Sequence, residues 1–441
     1  MSQTMTMERF SVEKKFIRYV FQNILGMLGI SAYVLADTFF ISQAEGAAGI
    51  AALNLVLPVY SLIFALGSMI GVGSATKFNI QRARQKEDAD DYFSNAVIFT
   101  FLLSMVFVAV GLLMPDKLVA FLGGDAEIVA VGTPYTRIFM IFAPFFMWNY
   151  IWNAFVRNDG NPSLAMAATL FSSLFNIVMD YVLMFPLGLG MAGAALATAI
   201  SPVVGISICS LHFLTKRNTI RWKWLRPSVR KLIQSCQLGV AAFVGEMSSG
   251  VTTVVFNFLI LQLTGNEGVA AYGVVANVAI VATAIFNGVS QGSQPPLSEY
   301  YGKKERRSIQ KMLVLSIGTA LLLGVLTIFI TNSLAEEIVM IFNSEGNATM
   351  ASYAVEGVKL YFIGFLFAGF NIVGTGYLSA TEAAGWAFAT SILRGFVAIS
   401  VCAFVMANLL GMTGVWLAFP TAELVTASVM VFAIVKTWKR K

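Results

Sequence analysis

The segment Gly46-Ala-Ala-Gly-Ile-Ala-Ala-Leu53 returns as Gly265-Asn-Glu-Gly-Val-Ala-Ala-Tyr272, at an offset of 219 residues. A second segment, Gly190-Met-Ala-Gly-Ala-Ala-Leu-Ala197, returns as Gly411-Met-Thr-Gly-Val-Trp-Leu-Ala418, at an offset of 221. Gly and Ala are common in membrane helices, so either match alone is weak. Two matches at nearly one offset imply a chain built twice.

The surroundings of these segments say what is repeated. Of the 441 residues, 57% are hydrophobic and 12% charged, and the mean hydropathy is +0.76. Soluble globular chains carry about 25% charged residues, and disordered chains are poor in apolar ones. A soluble enzyme could not keep this much apolar surface from water, so a polytopic membrane protein remains. A helical span needs roughly 20 apolar residues. Twelve such runs are predicted, near 16–42, 50–77, 92–114, 129–155, 162–185, 188–214, 233–263, 269–295, 310–331, 354–380, 386–407 and 412–435. Long continuous runs of this kind fit helices and not a membrane barrel, whose segments are short and alternating.

The loops test the count. If the N-terminus is cytoplasmic, one side of the membrane receives 25 of the 29 Lys and Arg residues. They run from Arg9, Lys14, Lys15 and Arg18 through the clusters around residues 77–86, 216–231 and 303–311 to Lys436, Lys439, Arg440 and Lys441. The opposite loops are short and mostly acidic, with Glu45, Asp116, Lys117, Asp125, Glu127, Glu267, Glu336, Glu337 and Glu345. This is the positive-inside asymmetry. It requires an even number of spans with both termini inside, and it explains the net charge of +6 without nucleic acid. No cleavable signal segment is expected at the N-terminus.

The fold class expected is therefore all-α, with twelve transmembrane helices in two six-helix lobes related by a parallel pseudo-two-fold repeat. An N-lobe is assigned to residues 1–215, a basic cytoplasmic linker to 216–231 and a C-lobe to 232–441. Trp222 and Trp224 suggest that the linker rests on the inner membrane face. Parallel repeats about the membrane normal are a transporter architecture with alternating access. Gly67, Gly71, Gly73, Gly188, Gly190 and Gly193 are expected to permit close helix contact. Cys209, Cys236 and Cys402 show no metal or disulfide spacing, and the single His212 is given no role.

Ionisable groups inside spans are costly and mark function. Asp37 in the first span and Asp180 in the fifth fall at similar depths in the outer half of the membrane. Asn176 stands one turn before Asp180 on the same helix face. Thr198 on the sixth span and Tyr135 on the fourth reach comparable depths. The repeat-related positions of Asp37 and Asp180 are Phe256 and Val401, so the acids serve a task that only the first half performs. Such a pair can take a proton from outside and release it inward, or it can join Asn and Thr oxygens as hard ligands for Na⁺. The residues do not separate the two ions. No Gly-x-x-x-x-Gly-Lys-Ser/Thr loop is present, so energy would come from an ion gradient, at about 2.3 kcal/mol per charge per 100 mV. In the second half, Glu246 is the candidate contact for a cationic substrate, with Asn277, Gln291, Met27, Met69 and Met179 as further lining candidates. Asn287, Gln294 and Glu423 are further polar groups there. Arg394 either pairs with an acid or phosphate or extends its guanidinium inward. Aromatic residues crowd the fourth span from Phe142 to Trp152, and those turned inward would give a soft apolar wall for lipophilic cations.

At this point the chain resembles the multidrug and toxic compound extrusion (MATE) family, in its bacterial DinF-type branch with the staphylococcal MepA-like pumps. The resemblance covers the whole chain. It is carried by Tyr33-Val-Leu-Ala-Asp-Thr-Phe-Phe40, by Asn176-Ile-Val-Met-Asp-Tyr181 and by the Gly-Ala run ending at Thr198. It implies a cation site in the N-lobe formed by Asp37, Asn176, Asp180 and Thr198, with Tyr135 and Asn153 in its hydrogen-bond network. It also implies export of organic cations and drugs in exchange for H⁺ or Na⁺ and no cofactor. The expected setting is the bacterial cytoplasmic (inner) membrane, with no enzymatic activity, no nucleic-acid partner and function as a monomer. Many relatives carry a proline in the first half of span one. Gln22 stands there instead, so a proline-dependent bend is not expected, although Gly26 and Gly29 allow flexing. Two other classes are a lipid-linked saccharide flippase of the wider superfamily and a non-transporting membrane protein. The scarcity of buried basic residues and the one-sided acid cluster favour the exporter.

Overall fold

The computed structural model describes residues 12–46, 48–343 and 346–439. Arg9, Glu345, Arg440 and Lys441 of the charge pattern lie outside the described residues, as does Ala47 of the first repeated segment.

The described residues are helical, with short connections and no strand among them. Among the described residues, nine helices are long and apolar enough to span a membrane, and a bent pair makes ten. Two of the nine exceed any bilayer. Val229–Gly302 has 74 residues, about 111 Å at 1.5 Å per residue. Its backbone breaks at Gly265 (φ 68°, ψ −154°), and the helix 384–439 breaks at Gly411 (φ 61°, ψ −135°). Each break divides one helix into two spans, which brings the count to twelve.

In order these are Val12–Gly46, Ala48–Ala83, Asp91–Leu113, the pair Ala126–Ile141 and Ala143–Asn158, Pro162–Met184 and Gly190–Leu214. Then follow 229–264 and 266–302, Arg306–Ser333, Ala348–Ala380, 384–410 and 412–439. The fourth span bends by 48° at Phe142, where Pro144 enters the second segment and removes a backbone donor.

The repeat is written into the backbone. The four glycines that open the repeated segments, Gly46, Gly190, Gly265 and Gly411, all have positive φ, a conformation that costs glycine least. The non-glycine residues Gln85 (φ 56°) and Lys304 (φ 61°) take the same conformation 219 positions apart. Short helices also recur between spans, at Pro115–Phe121 and Ala335–Phe342.

Packing divides the chain into two compact units. One comprises Phe21–Glu246 with Ser298–Glu305. Its core joins Ile41, Tyr60, Ile63, Phe139, Phe146 and Met147. Part of the aromatic crowd of the fourth span joins this core, the Phe146 ring stacking on Phe139 at 4.2 Å, while Trp148 and Trp152 pack against a second cluster around Phe93 and Phe155. The other unit holds the described parts of Met1–Val20, Met247–Leu297 and Arg306–Lys441. It is centred on Phe256, Phe286, Phe365 and Trp416, all buried.

The linker is an extended strap. Residues 218–228 have no helix and run along the start of the third span. Lys223 N donates to Ser94 Oγ at 3.0 Å, Ser228 N to Asn95 Oδ1 at 2.7 Å, and Lys223 Nζ to Glu87 O at 2.7 Å. Trp224 is 92% exposed. Of the glycines expected at close contacts, Gly67, Gly71, Gly73 and Gly193 each face neighbouring backbone. Gly188 meets no neighbour, whereas a Cβ on Gly190 would collide with the Glu45 carboxylate of the first span; both sit at positive φ in the turn before the sixth span.

Candidate functional site

The fifth and sixth spans are pressed together because Gly193 has no side chain. A Cβ there would lie 2.9 Å from Leu183 C and O. The small residues that follow, Ala194, Ala195, Ala197 and Ala199, are fully buried, and Thr198 comes against Asn176. The Asn176 amide satisfies both neighbours in one orientation. Its Nδ2 donates to Asp180 Oδ2 at 3.2 Å, while its Oδ1 accepts from Thr198 Oγ1 at 3.3 Å and Thr198 N at 3.2 Å.

Asp37 approaches from the first span. It is 9% exposed, whereas Asp180 and Asn176 are fully buried. Asp37 lies within electrostatic range of Asp180. Tyr135 reaches the Thr198 hydroxyl and stands within range of both carboxyl groups. Asp37 Oδ1 and Asp180 Oδ1 are buried without a hydrogen-bond partner among the described residues, as is Ser173 Oγ one turn before Asn176 on the fifth span. Buried polar atoms are seldom left this way. The Asp180 carboxyl, the Asn176 amide and the Thr198 hydroxyl are thus joined, with Asp37 in electrostatic range and an oxygen of each acid left with bonding capacity to spare. The same donor set fits a proton shared by the acids or a hard cation such as Na⁺. A site built on nitrogen or sulfur would need other residues, and no cluster of three or more His, Cys, Asp or Glu is placed to hold a metal ion among the described residues.

Asn153 is bonded elsewhere. It donates to Thr169 Oγ1 at 2.8 Å and Ala165 O at 3.3 Å, tying the fourth span to the fifth about two turns before Asn176. Glu246, half-buried, is hydrogen-bonded to Tyr150. Met27, Met69 and Met179 belong to the same unit and are half-buried. Asn277 and Gln291, also half-buried, belong to the other unit. Gln22 donates to Ser163 Oγ at 2.7 Å, which ties span one to span five. Gly29 packs closely, since a Cβ there would meet Leu170 Cδ2 at 2.8 Å.

The second half has no equivalent acid pair. Phe256 is fully buried, its ring 5.3 Å from that of Tyr272, and Val401 is exposed. That half instead pairs Arg394 Nε with Glu423 Oε1 at 2.7 Å. Asn371 Nδ2 donates to Glu423 Oε2 at 2.7 Å and to Glu423 O at 2.8 Å. Arg394 lies on a π-helical turn, Leu393–Ala398.

Sequence reasoning missed two tyrosines. Tyr33 stands within electrostatic range of Asp37, Asp180 and Glu246. Its place four residues before Asp37, on one helix face, was the available signal. Tyr60 of the second span is buried within range of Asp37, and only tertiary packing reveals it.

The MatE family pattern matches residues 23–182 and 242–404, and the chain belongs to that family. The multidrug export protein MepA of Staphylococcus saprophyticus is 27% identical over 430 residues, covering 95% of this chain and 93% of its own. MepA of Staphylococcus aureus (strain N315) is 28% identical over 423 residues, covering 92% and 90%. Among solved structures, an outward-facing multidrug resistance MATE transporter of the MOP superfamily matches with a TM-score of 0.91 at 22% identity, covering 98% of this chain and 97% of its own. A MOP superfamily transporter from Pyrococcus furiosus, described as having a binding pocket of reversed polarity, matches at 0.89 with 21% identity and 96% coverage of each. The fold is thus the twelve-helix, two-lobed fold of this family, in a multi-pass membrane protein.

Proposed function

We propose that the protein is a secondary active multidrug exporter that expels lipophilic cations in exchange for H⁺ or Na⁺. The observation that carries this reading is the one-sided acid pair, Asp37 and Asp180, each with a buried oxygen that no described protein group satisfies. Multidrug export by the MepA relatives supports the substrate class. The coupling ion binds from the outer side at Asp37 and Asp180, with Asn176 holding Asp180 and Thr198 in place. Were Na⁺ the ion, these four residues would supply its oxygens. Each charge that then moves inward yields about 2.3 kcal/mol per 100 mV.

Glu246, with Tyr150 donating to it, offers a negative group beside aromatic rings, which suits an organic cation. Asn277, Gln291, Met27, Met69 and Met179 remain lining candidates, and Asn153 acts by fixing the fourth span against the fifth. The two halves, 1–215 and 232–441, move as the repeated elements of alternating access. Both termini face the cytoplasm of a bacterial cell, the chain works as a monomer in the inner membrane, and no cofactor is required.

Drug resistance in cells tests the reading. Asp37→Asn and Asp180→Asn are each expected to remove ethidium resistance while the protein stays in the membrane at normal abundance. Full resistance in both variants would contradict it.

A further inference from the structure

The linker carries a charge that the protein does not neutralise. Residues 216–231 hold seven Lys or Arg and no Asp or Glu. Two of the seven are spent on the protein: Lys223 pairs with Asp91 at 3.3 Å and Lys231 with Asp88 at 3.3 Å. Lys216, Arg217, Arg221, Arg226 and Arg230 are exposed, and their side chains have no partner among the described residues. Exposed cations of one sign on so short a segment make a field that attracts an anionic surface.

The same segment turns its tryptophans outward in steps. Ile220 is buried in the cluster of Phe93 and Phe155. Trp222 is 41% exposed, its ring centre 6.3 Å from that of Phe93, and Trp224 stands beyond it, ring centres 5.6 Å apart, almost wholly exposed. Besides the bonds to Ser94 and Asn95, Arg221 N donates to Asp90 Oδ1 at 3.2 Å, so the backbone that presents these rings is fixed against the first turn of the third span. Leu102, Val106 and Leu113 lie on the same face of that helix as Asn95, and all three are exposed. In a spanning helix an exposed apolar stripe faces acyl chains. The strap thus crosses the end of a lipid-facing stripe, at the level where interfacial Trp residues gather.

We propose that the strap is a binding surface for the anionic lipid headgroups of the bilayer, with Trp222 and Trp224 entering between them and the five unpaired cations meeting their phosphates. Four of the five are Arg, whose planar fork takes two phosphate oxygens at once. A zwitterionic headgroup also has a phosphate, but its ammonium cancels the surface potential that draws basic segments to anionic lipid. The inference stands apart from the transport reading, because it needs only that the chain spans a membrane.

The test reads lipid contact and not export. The full chain is placed in phosphatidylcholine vesicles in which the same fraction of lipid, brominated near the headgroup, is either phosphatidylglycerol or phosphatidylcholine. Bromine quenches indoles that it touches, and the share of Trp224 is the difference between the wild type and Trp224→Phe. Brominated phosphatidylglycerol is expected to quench that share about twofold more than brominated phosphatidylcholine. Arg221→Gln with Arg226→Gln should bring the two lipids toward equality. Wild-type protein in 1 M salt, where the Debye length is about 3 Å, should do the same without any substitution. Equal quenching by both lipids in the wild type at low salt would overturn the preference for anionic headgroups. No quenching of Trp224 by either lipid would overturn the membrane contact itself. A preference that survives both the substitutions and the salt would overturn the role given to the unpaired cations.

Discussion

At the scale of single residues, Asp159, in the turn between the fourth and fifth spans, is densely bonded. Its carboxylate receives Arg82, the Thr219 hydroxyl, Thr219 N at 2.8 Å and His212 Nε2 at 2.8 Å. His212 is fully buried, and its Nδ1 meets Asn161 Nδ2 at 3.2 Å. Asn161 spends its oxygen on Leu164 N, so its amide can only donate and the imidazole must accept at Nδ1. Nδ1 then accepts from Asn161 while Nε2 donates to Asp159. The lone histidine given no role by sequence is thus a structural clamp on the linker. Burial alone would raise the Asp159 carboxyl, but the bonds from His212 and Thr219 and the charge of Arg82 outweigh it and hold it below its ordinary value. Such a group stabilises the fold fully above the unfolded value of about 3.9, and the contribution is lost as pH falls through the lowered folded value. Asp159→Ala is therefore expected to lower Tm at neutral pH and to expose residues 216–228 to protease. The Tm difference from wild type should shrink in strong acid, which a melting series against pH would show.

A second prediction at this scale concerns Arg394 and Glu423. Removing one member of a buried pair strands the other, at a cost of about 3–5 kcal/mol. Arg394→Gln should destabilise the detergent-solubilised protein strongly. Arg394→Met combined with Glu423→Leu should recover most of the loss, as chemical denaturation would reveal.

At the scale of elements, the spans were legible because bilayer thickness imposes one length on each of them. Helix breaks at Gly46, Gly265 and Gly411 were marked by the repeated glycine segments. Other local structure had no such imprint. The π-turn at Leu393–Ala398 sits in an ordinary apolar run, and the Glu423 partner of its Arg394 lies on another helix. The extended strap reads in sequence only as a basic stretch, because its bonds go to Ser94, Asn95 and Asp159. Asn153 faced the right helix but a different turn of it. Gly193 decides the fit of the fifth and sixth spans, and no local rule distinguishes it from the turn glycines Gly188 and Gly190. Gly193→Val is expected to force Thr198 away from Asn176 and lower ion-coupled export at least tenfold. Gly188→Ala, at an open turn, should only add backbone strain of about 1 kcal/mol. Export assays on both, normalised to membrane abundance, decide the point.

At the scale of the whole molecule, the duplication organises everything except the acid pair. Positive-φ residues recur in register, short helices recur between spans, and Asn79 donates to Ser298 at the repeat-related position. Phe256 and Val401 stand where Asp37 and Asp180 would fall, so one half alone has carboxyl groups converging in an otherwise apolar core. Asp37 and Asp180 were singled out by their depth along their helices, and they stand within electrostatic range of each other. Contributions from Tyr33 and Tyr60 depended on how helices turn toward one another. In the proposed cycle, ion binding by that acid pair is the event that drives export. Its most direct test is ethidium export from proteoliposomes under an imposed H⁺ or Na⁺ gradient, comparing wild type with Asp37→Asn and Asp180→Asn. One of the two gradients is expected to accelerate the wild type at least tenfold while neither variant responds; a variant that follows the gradient at the wild-type rate would contradict the ion-coupled mechanism.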